Sequence, residues 1–191
     1  MSYRNLSECL RDLEATGRLR RIDVEVDADQ QVAAIQRRVF RAKGPAILFT
    51  RVKGTPFPMV GNVFGTMERT KFIFRKTLRA IESLFKLKLD PMEAFKRPWR
   101  HLGAPAALLH ALPRKVKDGP VLANQTRISQ LPQLKSWPGD GGGYVTLPQV
   151  YTESLSHPGF ARSNIGMYRV QLTGQSFEAD REIGLHYQIH R

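Results

Sequence analysis

Three segments hold residue types able to bind or react. The first is Trp137-Pro138-Gly139-Asp140-Gly141-Gly142-Gly143-Tyr144-Val145-Thr146. The second is Ser163-Asn164-Ile165-Gly166-Met167-Tyr168-Arg169, and the third is His186-Tyr187-Gln188-Ile189-His190-Arg191. Each has a plain alternative when taken alone. The glycine run reads most simply as a loose turn, Asn164 as a turn cap and Arg169 as a surface charge. His186 and His190 stand at i and i+4, which on a helix would make a metal pair. On a strand the two share a face but lie ~13 Å apart, too far for one ion. No glutamate follows the first histidine as in the metalloprotease pattern, so the pair is weak support for zinc.

The elements that must position these residues are legible in outline. Asn5 to Thr16 places Leu6, Leu10 and Leu13 on one helical face, with Gly17 as the stop. Arg18 to Asp27 alternates, Ile22, Val24 and Val26 against Asp23, Glu25 and Asp27, as a half-buried strand does. Asp29 is suited to cap a second helix through Ala42, with Val32, Ile35 and Val39 inward and Gly44-Pro45 at its end. Ala46 to Phe49 and Met59 to Val63 read as strands around a Lys53-Gly54-Thr55-Pro56 turn. A basic helix follows, over about Thr66 to Lys86. This order is that of a mixed α/β or α+β layer. Pro91 to Pro113 reads as a linker or arm, with a short helix around Ala104 to Leu112. From Pro113 onward, prolines and short apolar runs predict mostly strand: Val121-Leu122, Tyr144 to Thr146, Gly166 to Leu172 and Ile183 to Ile189. The expected boundary is near residue 112, with domains over 1–112 and 113–191. The chain stops within an expected strand, which predicts a fragment, a truncated frame or a subunit completed by another chain.

Composition narrows the function. The chain has 191 residues, 41% hydrophobic and 25% charged, which excludes wholesale disorder. No run approaches the ~20 apolar residues of a membrane span. Glu8 and Asp12 near the start, without an apolar segment, argue against a secretory signal. The single cysteine, Cys9, excludes an internal disulfide and a cysteine-rich zinc site, and a cytoplasmic location is expected. The net charge is +13, and residues 67–118 carry 13 Lys/Arg against 5 Asp/Glu, a net +8. Such an excess attracts phosphate groups. Phe72, Phe74, Phe85, Phe95 and Trp99 are interleaved with it and could stack bases. At this spacing aromatics are more often the buried side of an amphipathic helix, and the charges a solvated face. No nucleic-acid motif accompanies them, so no nucleic acid is expected as partner. Peripheral contact with a membrane surface through 67–118 stays open.

Taken together and in order, the three segments resemble the UbiD family of prenylated-FMN-dependent decarboxylases. The resemblance runs from the Leu6-to-Val26 opening and Gly44-Pro45-Ala46-Ile47-Leu48-Phe49, through Gly61-Asn62-Val63-Phe64-Gly65-Thr66, and is strongest from Trp137 onward. It implies an α+β protein: an N-terminal mixed α/β domain followed by the start of a split β-barrel flavin-binding domain. It implies two cofactors, prenylated FMN and Mn²⁺. Asn164 and His190 match metal ligands, with the family's glutamate ligand further along than residue 191. Met167, Tyr168 and Arg169 match the segment lining the flavin. His186, Tyr187 and Gln188 match a second flavin-contacting stretch, and Arg191 a phosphate-side arginine. Arg169 also matches the arginine of the family's catalytic Glu-Arg-Glu network, where a guanidinium can grip a substrate carboxylate through two bonds.

The implied reaction is loss of CO₂ from an aromatic or α,β-unsaturated carboxylic acid. The cofactor carries the hard step while the protein orients the substrate and returns a proton. The family's catalytic acids lie beyond residue 191, so turnover by this chain alone is not expected. The resemblance also implies a homo-oligomer or a completing chain. Two alternatives need no catalytic acid: a non-catalytic flavin-binding or assembly subunit, and a basic polyanion or membrane-surface binder.

Overall fold

The computed structural model describes residues 3–89 and 116–186. The expected helix around Ala104 to Leu112, the boundary near 112, and Tyr187, Gln188, His190 and Arg191 lie outside them.

The N-terminal half is built around the strand whose residues are apolar on both faces. β2 (Ala46–Phe49) lies between β1 (Leu19–Ile22) and β3 (Met59–Gly61). β1 runs parallel to β2 with Leu19 opposite Ala46 and Ile22 opposite Phe49; β3 runs antiparallel. The parallel pair requires a crossover, which α2 (Gln31–Arg41) provides. Side chains alternate across a strand. Ile47 and Phe49 therefore join Val26, Ala28, Val32 and Val52 on the α2 face. Ala46 faces the other way, with Leu13 and Cys9 of α1 (Leu6–Ala15) and Ile73 of α3 (Met67–Ile73). The result is a sheet covered by helices on both sides.

Local sequence explains most boundaries. Asn5 caps α1, its Oδ1 accepting from the Glu8 amide at 2.9 Å, and Thr66 caps α3 through the Arg69 amide. Three expectations are corrected. The strand from Arg18 ends at Ile22, and Val24 is 73% exposed. Thr50 binds the Ile22 carbonyl and the Asp23 carboxylate, turning the chain so that only Val26 regains a bridge, to Val52. Asp29 does not cap α2. It pairs instead with Lys135, through a backbone bridge and a 3.4 Å ion pair; Gln30 takes the cap position without a side-chain bond. The basic helix is two helices, α3 and α4 (Arg75–Leu89), broken at Phe74. The break lets Arg75 reach back to α1, with Nη2 2.7 Å from Asp12 and the guanidinium over Phe72.

This break bears on the basic stretch. Arg69 is buried and its guanidinium donates to the carbonyls of Val63, Gly44 and Asn62. Two cations of the run are thus engaged internally, while Lys71, Lys76 and Arg79 are exposed as a solvated face would be. Phe72 packs against the core, whereas Phe74 and Phe85 are exposed.

The second half begins with α5 (Pro120–Ala123), where Pro120 occupies the first turn and turns the expected Val121-Leu122 strand into a helix. A sheet in the order β4 (Tyr144–Val145), β7 (Arg169–Gln171), β8 (Gly184–His186) follows, all antiparallel. A hairpin of β5 (Gln149–Glu153) and β6 (Ser163–Met167) stands beside it. Residues 134–137 dock this half onto α2. Leu134 packs into the α2-face core, Lys135 exchanges backbone bonds with Ala28 and Gln30, and Arg37 bonds the Ser136 carbonyl and lies over Trp137. Among the described residues no helix is long and apolar enough to cross a membrane.

Candidate cofactor-binding site

The glycine run is a tight joint and not the loose turn its sequence suggests. A Cβ on Gly142 would stand 1.7 Å from the Thr173 carbonyl oxygen, and one on Gly143 would stand 2.3 Å from Gln133 Oε1. The missing side chains let the strand after Arg169 close on this turn, where Gly143 N donates to Thr173 Oγ1 and its carbonyl accepts from Leu172. The same closure buries Tyr144 at the start of β4.

Tyr144 is the floor of a polar cluster. Arg169 Cζ lies 3.5 Å from the centre of its ring. Arg169 and His186 are register partners on β7 and β8, so their side chains share a face. The His186 ring meets Tyr144 edge-on at 5.6 Å. Gln171 Nε2 donates to the Gly141 and Thr173 carbonyls, which turns its Oε1 toward His186 Nε2 at 2.9 Å. A carbonyl oxygen only accepts, so the shared proton sits on Nε2.

Asp140 completes the cluster. Its Oδ2 accepts from the Ser136 and Trp137 amides, and its Oδ1 meets Arg169 Nη2 at 2.9 Å. The Asp140 side chain is 9% exposed and the Arg169 side chain 41%. Burial pushes the Asp140 carboxyl up, but the Ser136 amide, the Arg169 guanidinium and the Trp137 amide together hold it below the usual carboxylate range. Burial likewise pulls the Arg169 guanidinium down, and Tyr144 and Asp140 outweigh it. Arg169 Nε is buried and has no hydrogen-bond partner among the described residues.

The second group is on β6. Asn164, Gly166 and Tyr168 alternate, so they fall on one side of the chain. The Tyr168 ring folds back over Gly166, where a Cβ would meet it at 2.7 Å. Its hydroxyl accepts from Asn164 Nδ2 at 2.7 Å. That bond leaves Asn164 Oδ1 without a partner among the described residues. Met167 is 66% exposed on the opposite side of β6. Of the sequence-predicted residues, Arg169 and His186 are thus brought together, and Asn164 is joined to Tyr168. The sequence segment contained Asp140 and Tyr144 but gave neither a role. A lone acid in a glycine-rich turn has no periodicity to mark it. A cleft of about 830 Å³ opens beside the cluster between residues 138–142 and 173–177. Asp140 and Gln171 line it; Arg169, Asn164 and Tyr168 do not.

The 3-octaprenyl-4-hydroxybenzoate carboxy-lyase N-terminal domain matches residues 10–88, and the Rift-related domain of the same enzyme matches residues 113–191. This chain belongs to the UbiD family. The matches cover residues 10–88 of the first described half of this UbiD chain and all of the second. Its fold is similar to the UbiD-class enzyme HmfF from Pelotomaculum thermopropionicum, solved in complex with FMN: TM-score 0.65, 23% identity, 97% of this chain and 37% of that one. It is similar also to the closed form of vanillic acid decarboxylase from Sedimentibacter hydroxybenzoicus: TM-score 0.68, 24% identity, 98% of this chain and 38% of that one. An uncharacterized protein of Chlamydia trachomatis is 39% identical over an alignment of 176 residues that covers 89% of this chain and 29% of the relative. One of Chlamydia muridarum is 37% identical, across 87% of this chain and 28% of the relative. The UbiD chain thus spans less than a third of the length of these two relatives.

Proposed function

We propose that this UbiD chain contributes the flavin-phosphate and arginine side of a decarboxylase site for an aromatic or α,β-unsaturated carboxylic acid. Arg169 carries the reading: a guanidinium held over Tyr144 by Asp140, with Asn164 five residues earlier in the chain offering an Oδ1 that has no partner among the described residues. The two groups suit different ligands, the guanidinium an anion and the amide oxygen a hard cation. Arginine N–H groups suit carboxylate or phosphate, and an amide carbonyl oxygen suits Mn²⁺. Asn164 and His190 would hold the metal. Among the described residues no group of three His, Cys, Asp or Glu could do so, and His190 lies outside them. Met167, Tyr168 and His186, with Tyr187, Gln188 and Arg191, would line the flavin. The bound prenylated FMN would supply the electron sink for loss of CO₂.

The chain's own residues have simpler tasks. Arg169 orients the substrate carboxylate, and Tyr168 fixes the amide of Asn164. We place the domains at 1–112 and 113–191, the second as the start of a split barrel. Tyr151, Ile165 and Met167 leave the β5–β6 hairpin apolar and exposed, which supports a homo-oligomer or a completing chain over it. The cytoplasm is the expected location.

The test is titration of the full chain with reduced prenylated FMN and Mn²⁺, followed by absorbance, for wild type and Asn164→Ala. Metal-dependent uptake that falls at least tenfold in the variant supports the reading. Equal uptake in both, or none in wild type, contradicts it.

A further inference from the structure

The Asp140 carboxylate uses its two oxygens differently. Oδ2 takes the amides of Ser136 and Trp137, a local turn that any short acceptor could make. Oδ1 is held by Arg169, 29 residues away. The turn alone does not require a negative charge. Burying one to 9% exposure is unfavourable unless it is paired, and the pairing here is with one guanidinium.

That guanidinium is fixed at two points. The Tyr144 ring sets its height, with Cζ 3.5 Å away, and Asp140 sets its rotation through Nη2. An arginine on a two-point mount presents its remaining N–H groups in one direction. A free arginine must lose rotamer freedom when it binds an anion, so mounting it beforehand strengthens the contact without touching the ligand. The mount reaches the first half of the molecule as well. Arg37 on α2 bonds the Ser136 carbonyl and stacks on Trp137, the two residues whose amides hold Asp140.

We infer that Asp140 is a positioning residue for Arg169, locking the guanidinium over Tyr144 in the orientation that receives a carboxylate. The inference rests on the proposed function for the identity of the anion, but the lock itself does not.

Asp140→Asn separates lock from turn. The amide oxygen can still accept from Ser136 and Trp137, while the NH₂ group then faces Arg169, donor against donor. Two readouts are made on the full chain: solvent exchange of the Arg169 Nε–H by ¹⁵N NMR, and the dissociation constant of benzoate from the flavin-loaded chain. The buried Nε predicts slow exchange in wild type. In Asp140→Asn it should quicken at least tenfold, with the other arginines unchanged, and benzoate should weaken by about as much. Asp140→Glu, which restores the charge, should recover part of both. Equal exchange in wild type and Asp140→Asn overturns the inference, as does faster exchange with benzoate affinity unchanged. If wild type takes up no flavin, the proposed function fails. The exchange comparison then decides the lock alone: faster exchange in Asp140→Asn upholds it, and equal exchange overturns it.

Discussion

The two halves of the chain are held together by different means. Residues 3–89 bury Leu13, Ala46 and Phe49 completely and cover both faces of one sheet with helices. In residues 116–186 the buried apolar residues are Tyr144 and Leu172. That half is organised by close backbone contacts at Gly142 and Gly143, by the Asp140–Arg169 pair, and by its docking strip at 134–137. Yet it carries the polar cluster. The first half supplies stability and the second supplies reactive groups, and a thin core leaves those groups partly exposed and available to ligands. Where the first half buries polar groups, it satisfies them internally. Asn62, at φ 57, donates to the Gly44 and Pro45 carbonyls, and Arg69 donates only to carbonyls.

The contrast can be broken in order of effect. Phe49→Ala removes a ring at 0% exposure and should cost about 3–5 kcal/mol. Because Leu134 packs on the same cluster, chemical denaturation should show both halves lost together. Gly142→Ala should cost at least the ~1–3 kcal/mol of an overpacked site, since the Thr173 carbonyl must move. Here hydrogen exchange should report loss of protection over 133–173 alone, with the α2 amides still protected. If α2 opened too, the second half would be unable to open without the first.

Acid should act next. The Tyr3 hydroxyl and Arg75 hold the Asp12 carboxyl low, and Asp140 is held low by its amide partners and Arg169 against burial. Each folded pKa lies below the unfolded value of about 3.9, so the unfolded chain takes up protons first as pH falls. Their contribution is complete above that value and disappears as pH drops through the folded pKa. Melting temperature should therefore fall steeply below about pH 4, and Asp140→Asn should flatten part of that fall. The smallest effect is expected at Leu155, which is fully exposed: Leu155→Ser should shift stability by no more than about 0.5 kcal/mol.

The first half was largely legible in sequence, because periodicity reports burial and this half is built on burial. The α1 and β2 ranges agree within two residues with what Leu6, Leu10 and Leu13 and the Ala46 to Phe49 run predict. The departures came from long-range partners that periodicity does not register: Lys135 drew Asp29 away from capping α2, and Asp12 drew Arg75 across the helix break. The second half was legible as chemistry more than as structure. The order of the Trp137, Asn164 and His186 segments marked the family, but the tight role of Gly142 and Gly143 did not show. Glycines that admit a close approach read the same as glycines that loosen a turn. Asp140 has its arginine 29 residues downstream. Only the folded register of β4 on β7 brings the two together.

The most direct measurement is hydrogen exchange of the full chain with and without reduced prenylated FMN and Mn²⁺. Added protection over 137–146 and 163–172, with α1, α2 and β2 unchanged, is what this account predicts. Protection gained on α2 or along α3 and α4 instead, or none anywhere, would contradict it.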